Sequence, residues 1–154
     1  MIGPTVLYRA LIIVGVLVAL DACKHGKCED GGSSSAGRHS HNAGRDCMGC
    51  HLPDGEGEGC WTVAGSLYSP GGQHAPAGTR TLLFTRPLGQ GDVAIELGSD
   101  QSGNIYTSNS LDFGLGLFPA VIGTAGDTVF MDESIRDGAC NRCHGSSTDR
   151  VTLP

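Results

Sequence analysis

Thr79-Arg80-Thr81-Leu82-Leu83-Phe84-Thr85 and Asp92-Val93-Ala94-Ile95-Glu96-Leu97, separated by Arg86-Pro-Leu-Gly-Gln-Gly91, decide the fold class. Val93, Ile95 and Leu97 alternate with Ala94 and Glu96. Leu82 and Phe84 alternate with Thr81, Leu83 and Thr85. Period-two patterning predicts strands with one mostly buried face each, that of Leu82 and Phe84 in the first and that of Val93, Ile95 and Leu97 in the second. Outward from this pair, further strand-like runs fall at 61–68, 104–108, 115–122 and 128–131, with turn signals between them such as Asp100-Gln101-Ser102-Gly103-Asn104. Short strands at this spacing predict a mainly β chain built as a small antiparallel β-sandwich. A content of 25 Gly and 7 Pro in 154 residues argues against a helical bundle. With 10 Lys+Arg against 16 Asp+Glu and a net charge of −6, the chain lacks the basic surface that nucleic-acid binding needs.

The chemistry sits on either side of that module. Cys47-Met48-Gly49-Cys50-His51 and Cys140-Asn141-Arg142-Cys143-His144 are two complete C-x-x-C-H sequences, the attachment signature of c-type haem. Two thiols three positions apart on one helical turn can each add to a haem vinyl group, and the next residue then offers its imidazole to the iron. The expected cofactor is haem c, two copies, held through Cys47, Cys50, Cys140 and Cys143, with His51 and His144 as proximal ligands. A zinc shared by two C-x-x-C knuckles and a redox-active dithiol are the competing readings, and both leave a histidine after each pair unexplained.

Residues 1–22 read as a signal peptide: one positive charge at Arg9, an apolar run from Ala10 to Leu20, then Asp21-Ala22-Cys23. Leu20-Asp21-Ala22-Cys23 resembles a bacterial lipobox, with Asp21 departing from its usual small or apolar residue, and implies lipidation of Cys23. Export permits oxidised cysteines. With four thiols assigned to haem, Cys23, Cys28 and Cys60 remain. If Cys23 carries lipid, Cys28 and Cys60 are left to form a disulfide; the competing assignment pairs Cys23 with Cys28 and leaves Cys60 free. Residues 23–40 form a flexible, anchor-proximal spacer around Gly31-Gly32-Ser33-Ser34-Ser35-Ala36-Gly37. Residues 41–60 carry the first haem motif, 61–131 the sandwich, and 132–154 the second motif. The three carboxylates of Asp54-Gly55-Glu56-Gly57-Glu58 read as a solvated loop beside the first motif, and Trp61 as core or haem packing.

Distal ligands come from a short list. His25 lies beside the lipid anchor; His39 and His41 precede the first motif, and His41 is nearer the structured chain; His74 stands in Gly71-Gly72-Gln73-His74-Ala75-Pro76. Met131 is the thioether alternative, in competition with a core role. The expected set is bis-histidine, with His41 and His74 distal.

Val63-Ala64-Gly65-Ser66-Leu67, Pro76-Ala77-Gly78-Thr79 before Leu82-Leu83-Phe84, and Ser99-Asp100-Gln101-Ser102-Gly103-Asn104-Ile105-Tyr106 resemble the carboxypeptidase-regulatory-like, transthyretin-like β-sandwich modules, which serve as stalks and interaction platforms. The larger layout, a haem motif on each side of the module, resembles exported dihaem c-type cytochromes of the bacterial multihaem kind. That resemblance implies single-electron transfer between redox partner proteins or to an extracellular acceptor. It also implies a periplasmic or cell-surface lipoprotein held at a membrane by its lipid, compatible with a homo-oligomer, in which a histidine just upstream of one motif serves the neighbouring haem, so that His41 would reach the haem of Cys140 and Cys143. A small haem enzyme, such as a peroxidase or reductase, and a cofactor-free surface lipoprotein are the alternatives.

Overall fold

A computed structural model describes residues 32–36 and 40–153. The leader, Cys23, Cys28 and His39 lie outside the described residues. The chain is mainly β. Strands β1 (Val63–Tyr68), β2 (Arg80–Phe84), β3 (Val93–Gly98), β4 (Asn104–Thr107), β5 (Phe118–Ile122) and β6 (Thr128–Phe130) fall on the six runs read from sequence. Two further pieces, β7 (Gly138–Ala139) and β8 (Val151–Thr152), flank a single helical turn, α1 (Cys140–Cys143). One sheet has the order β3-β2-β5-β6, all antiparallel. The other runs β4-β1-β7, with β8 also pairing β1.

The second sheet departs from a purely antiparallel sandwich. β1 pairs β4 antiparallel but takes β7 and β8 in parallel, β7 against Val63 and Ala64 and β8 against Leu67 and Tyr68. The segment after residue 131 therefore completes a sheet as well as carrying the second motif. Periodicity could not find two-residue strands, because two residues contain no period.

All six residues of β1 are buried, since each face of the strand is covered by different material. Successive side chains alternate in direction, so Val63, Gly65 and Leu67 face the other sheet. Val63 packs there with Leu83, Leu97 and Leu117, and Leu67 with Ile105, Val121 and Leu153. Ala64 points the opposite way, into a cluster with Met48 and Ala139, against which Cys47, Trp61 and Tyr106 pack. The first motif thus covers the outer face of the β1–β4 ladder.

Two face assignments read from sequence are corrected. Leu83, opposite Ile95 in register, lies at the centre of the inter-sheet core and is 1 % exposed, while Thr81 and Leu82 are also buried. Both faces of β2 are therefore covered, as befits a central strand. Val93 is exposed, because β3 is an edge strand that reaches the core through Leu97 and, partly, Ile95.

Candidate functional site: two motif turns on one sheet

Each C-x-x-C-H stretch forms one helical turn. Cys47–Gly49 is a 3-10 turn whose start is capped by Asp46, its carboxylate accepting from the Met48 amide at 3.2 Å. Cys140–Cys143 is a single α-turn, closed by the His144 amide donating to the Cys140 carbonyl. In both turns the amide of the histidine bonds the carbonyl of the first cysteine, the i to i+4 closure that places both thiols and the following residue on consecutive turns of one spiral.

The two imidazoles are anchored alike. His51 is buried, and its Nδ1 lies 2.9 Å from the Glu58 carbonyl and 3.2 Å from that of Gly59. Nδ1 of the half-buried His144 lies 2.8 Å from the Asp149 carbonyl. A carbonyl can only accept, so Nδ1 carries the proton and Nε2 keeps its lone pair, the arrangement that orients a metal-ligating histidine.

Glycines make these anchors. The loop after the first motif folds back so that Gly57 donates to the Cys50 carbonyl and Trp61 to that of His51. A Cβ on Gly57 would lie 2.8 Å from His51 Nδ1, and one on Gly55 would meet the Cys50 carbonyl oxygen. The glycine-carboxylate alternation of 54–58 is therefore a clasp over an imidazole, with Glu56 and Glu58 on the wall of the first cavity. Composition alone suggested only a solvated loop.

The second motif docks on β1 through a side chain that sequence reading passed over. β7 and β8 leave Ser66 of β1 without a strand partner on that edge. Asn141, inside the motif, fills the gap: its Oδ1 accepts from the Ser66 amide at 3.0 Å, and its Nδ2 donates to Ser66 Oγ at 2.9 Å and to the Arg45 carbonyl at 2.8 Å. One buried amide side chain thereby joins the second motif to the sheet and to the segment leading into the first. The Arg142 contact to Asp46, at 3.9 Å, is exposed and adds little.

Each motif opens on its own cavity, and the two cavities lie on opposite faces of the β1–β4 ladder. The first, about 920 Å³, is lined by Cys47, Cys50, His51, Trp61, Tyr106 and His41 among others. The second, about 420 Å³, is lined by Cys140, Cys143, His144, Met131, Leu67 and Val121 among others. Both volumes fall within the range of cofactor sites. Trp61 stands between His51, with ring centroids 4.9 Å apart, and Tyr106, 4.6 Å away.

The candidate distal ligands separate. His41 lines the cavity of its own motif, its ring 6.0 Å from that of His51. His74 lines neither cavity; it is exposed beside Tyr68, with Nδ1 on the Ser102 carbonyl. Met131 lines the second cavity. Cys60 is disulfide-bonded while the four motif cysteines are free.

The first thiol of each motif is poorly disposed to exchange chemistry. Burial pushes the Cys140 thiol from its ordinary 9.0 up to about 12, with its own backbone hydrogen bond opposing and the charges of Cys47, Asp137 and Cys143 adding to the rise. Burial likewise raises Cys47, reinforced by Asp46 and Cys50. A dithiol exchange centre needs a lowered first cysteine. Among the described residues no group of three or more His, Cys, Asp or Glu side chains is arranged to hold a metal ion, so the two knuckles do not converge on a shared zinc.

The raised Cys140 value sets a pH dependence for the chain with this thiol unmodified. The folded thiol keeps its proton to about pH 12, whereas the unfolded one loses it near 9. The unfolded state then binds fewer protons between those values, so this thiol contributes no pH dependence below about pH 9 and lowers stability progressively from there toward 12. Denaturant midpoints measured across this range should decline in the parent and much less in Cys140→Ala; equal declines would contradict the assignment.

No protein-family model, curated protein or solved structure matches the chain.

Proposed function

We propose that this chain is an exported dihaem c-type cytochrome that passes single electrons between redox partners. The observation that carries the reading is the duplicated site: two C-x-x-C-H turns, each with its histidine Nδ1 tied to a backbone carbonyl, each facing a separate cavity of cofactor size. Cys47 and Cys50 hold one haem and Cys140 and Cys143 the other, with His51 and His144 presenting Nε2 to iron. Bound haem supplies one-electron chemistry between ferrous and ferric iron. The Glu58 and Asp149 carbonyls keep each imidazole in one orientation, and Trp61 and Tyr106 fill the wall beside His51. The Cys60 disulfide supports an oxidising compartment, in keeping with a leader at 1–22 and a lipid on Cys23 that anchors the protein at a membrane.

Carbon monoxide separates a carrier from a haem enzyme. A carrier fills both axial positions of each iron, so the reduced protein should keep its absorption spectrum under stoichiometric carbon monoxide. Rapid stoichiometric binding at either iron would establish an open position and favour a peroxidase or reductase.

A further inference from the structure

We propose that the two irons take different second axial ligands, His41 joining His51 at the first site and Met131 joining His144 at the second, which makes the first site the low-potential donor and the second the high-potential acceptor of an internal pair. This rests on the dihaem reading and deepens it.

The ligand assignment follows from what each cavity contains. Among the described residues, His41 and His51 are the two imidazoles on the wall of the first. A metal–imidazole bond of about 2 Å on each side, together with the ring radii, separates two imidazole centres on one metal by about 6 Å. The observed separation is 6.0 Å. Among the described residues lining the second cavity, His144 is the one imidazole and Met131 the one thioether. Met131 follows β6 directly, where its amide donates to the Pro119 carbonyl at 2.9 Å, so its backbone is fixed by the sheet edge bordering the cavity. His74 is outside both walls and is occupied by the Ser102 carbonyl. His41 stands in the cavity of its own motif, not in that of Cys140 and Cys143.

The surroundings point the same way as the ligands. Among the described residues, Asp46, Glu56 and Glu58 line the first cavity against one cation, Arg45; an excess of carboxylate stabilises the more positive ferric state and lowers the potential. The second cavity is walled by Leu67, Ile105, Val121, Val129 and Phe130, with Asp137, Asp149 and Arg150 also on its lining. An apolar wall and a thioether ligand both disfavour the ferric state and raise the potential. The favoured transfer moves one electron, oxidising the first iron from ferrous to ferric and reducing the second from ferric to ferrous, with no proton or atom exchanged. The first electron comes from an external reductant, and the last leaves to an external oxidant. The β1–β4 ladder is the partition between the sites, and Asn141 spans it by hydrogen bonds to Ser66 and Arg45.

The test is a spectroelectrochemical titration of the holoprotein with electron paramagnetic resonance of the oxidised form, on parent, Met131→Leu, Met131→His, His41→Ala and His74→Ala proteins. Denaturing mass measurement of each sample confirms that haem is loaded. The parent should titrate in two waves, with two low-spin ferric signals. Met131→Leu should convert one signal to high spin and move only the upper wave. Met131→His should restore low spin with that wave shifted downward, which separates a ligand role from a packing role. His41→Ala should convert the other signal and move only the lower wave, and His74→Ala should leave both unchanged. Haem-loaded parent with a single unsplit wave, a Met131→Leu protein that stays fully low-spin, or loss of a low-spin signal in His74→Ala would overturn the assignment while leaving the dihaem reading intact. A parent without haem would overturn both.

Discussion

Asn141→Leu should lower the thermal midpoint by roughly 10 °C, corresponding to a loss of about 3 kcal/mol in a chain of this size. Asn141 is 2 % exposed and supplies three hydrogen bonds. Leucine keeps the branched outline of the side chain but its methyl groups are bulkier than the amide, so the change removes the polarity and adds some crowding. It leaves the Ser66 amide buried and unpaired at the gap between β7 and β8 and strips one donor from the Arg45 carbonyl. A buried donor or acceptor without a partner costs about 1–3 kcal/mol. Asn141→Asp keeps the acceptor for Ser66 but buries a carboxylate facing the Arg45 carbonyl, so it should lose at least as much stability as leucine. Calorimetry on the three proteins checks the order. A leucine variant as stable as the parent would mean that the second motif is not held to the sheet through this side chain.

Gly138→Ala is expected to cost about as much, by a different mechanism. A Cβ at Gly138 would lie 2.2 Å from the Thr62 carbonyl oxygen and 2.5 Å from the Val63 Cα. Both are backbone atoms, so no side-chain rotation relieves the overlap and the β1–β7 pairing must open. Overpacking against fixed structure costs about 3 kcal/mol at the upper end of its usual range, and here the strain falls two residues before Cys140. The variant should melt roughly 10 °C lower; on the dihaem reading proposed above, its second haem site should become heterogeneous while the first keeps its spectrum. Equal disturbance of both centres would contradict the separate seating of the two motifs. Gly65→Ala provides a graded comparison: its Cβ would meet the Cys140 Cβ at 2.7 Å, a side-chain atom on a one-turn helix with more room to yield.

The strands of the sandwich were legible because period-two alternation and turn residues act locally. Asp100 illustrates the turn signal: its carboxylate accepts from the Ser102 and Asn104 amides at 2.8 and 3.0 Å, closing the turn before β4. Which face of β2 is the more deeply buried was not legible, because a central strand is covered on both sides and Leu82 and Leu83 are both apolar. β7 and β8 escaped notice because they exist only through parallel pairing with a distant strand, and no local pattern announces that. The two motifs were legible as chemistry, since thiol-thiol-imidazole spacing is read directly along the chain. Asn141 was not, because it occupies a variable position of its motif and acts through Ser66, 75 residues away. The separation of His41 from His74 likewise depends on tertiary placement. Gly57 and Gly138 carried a signal that composition blurred: each is a glycine beside a motif that must approach backbone or ring atoms too closely for a Cβ.

The central claim is that two haems are bound covalently, one through Cys47 and Cys50 and one through Cys140 and Cys143. Mass spectrometry of the mature protein under denaturing conditions tests it most directly. The account predicts a mass two haems above that of the polypeptide, retained after unfolding, with peptides containing residues 47–50 and 140–143 each carrying one. A mass equal to that of the bare polypeptide, or haem released on denaturation, would contradict it.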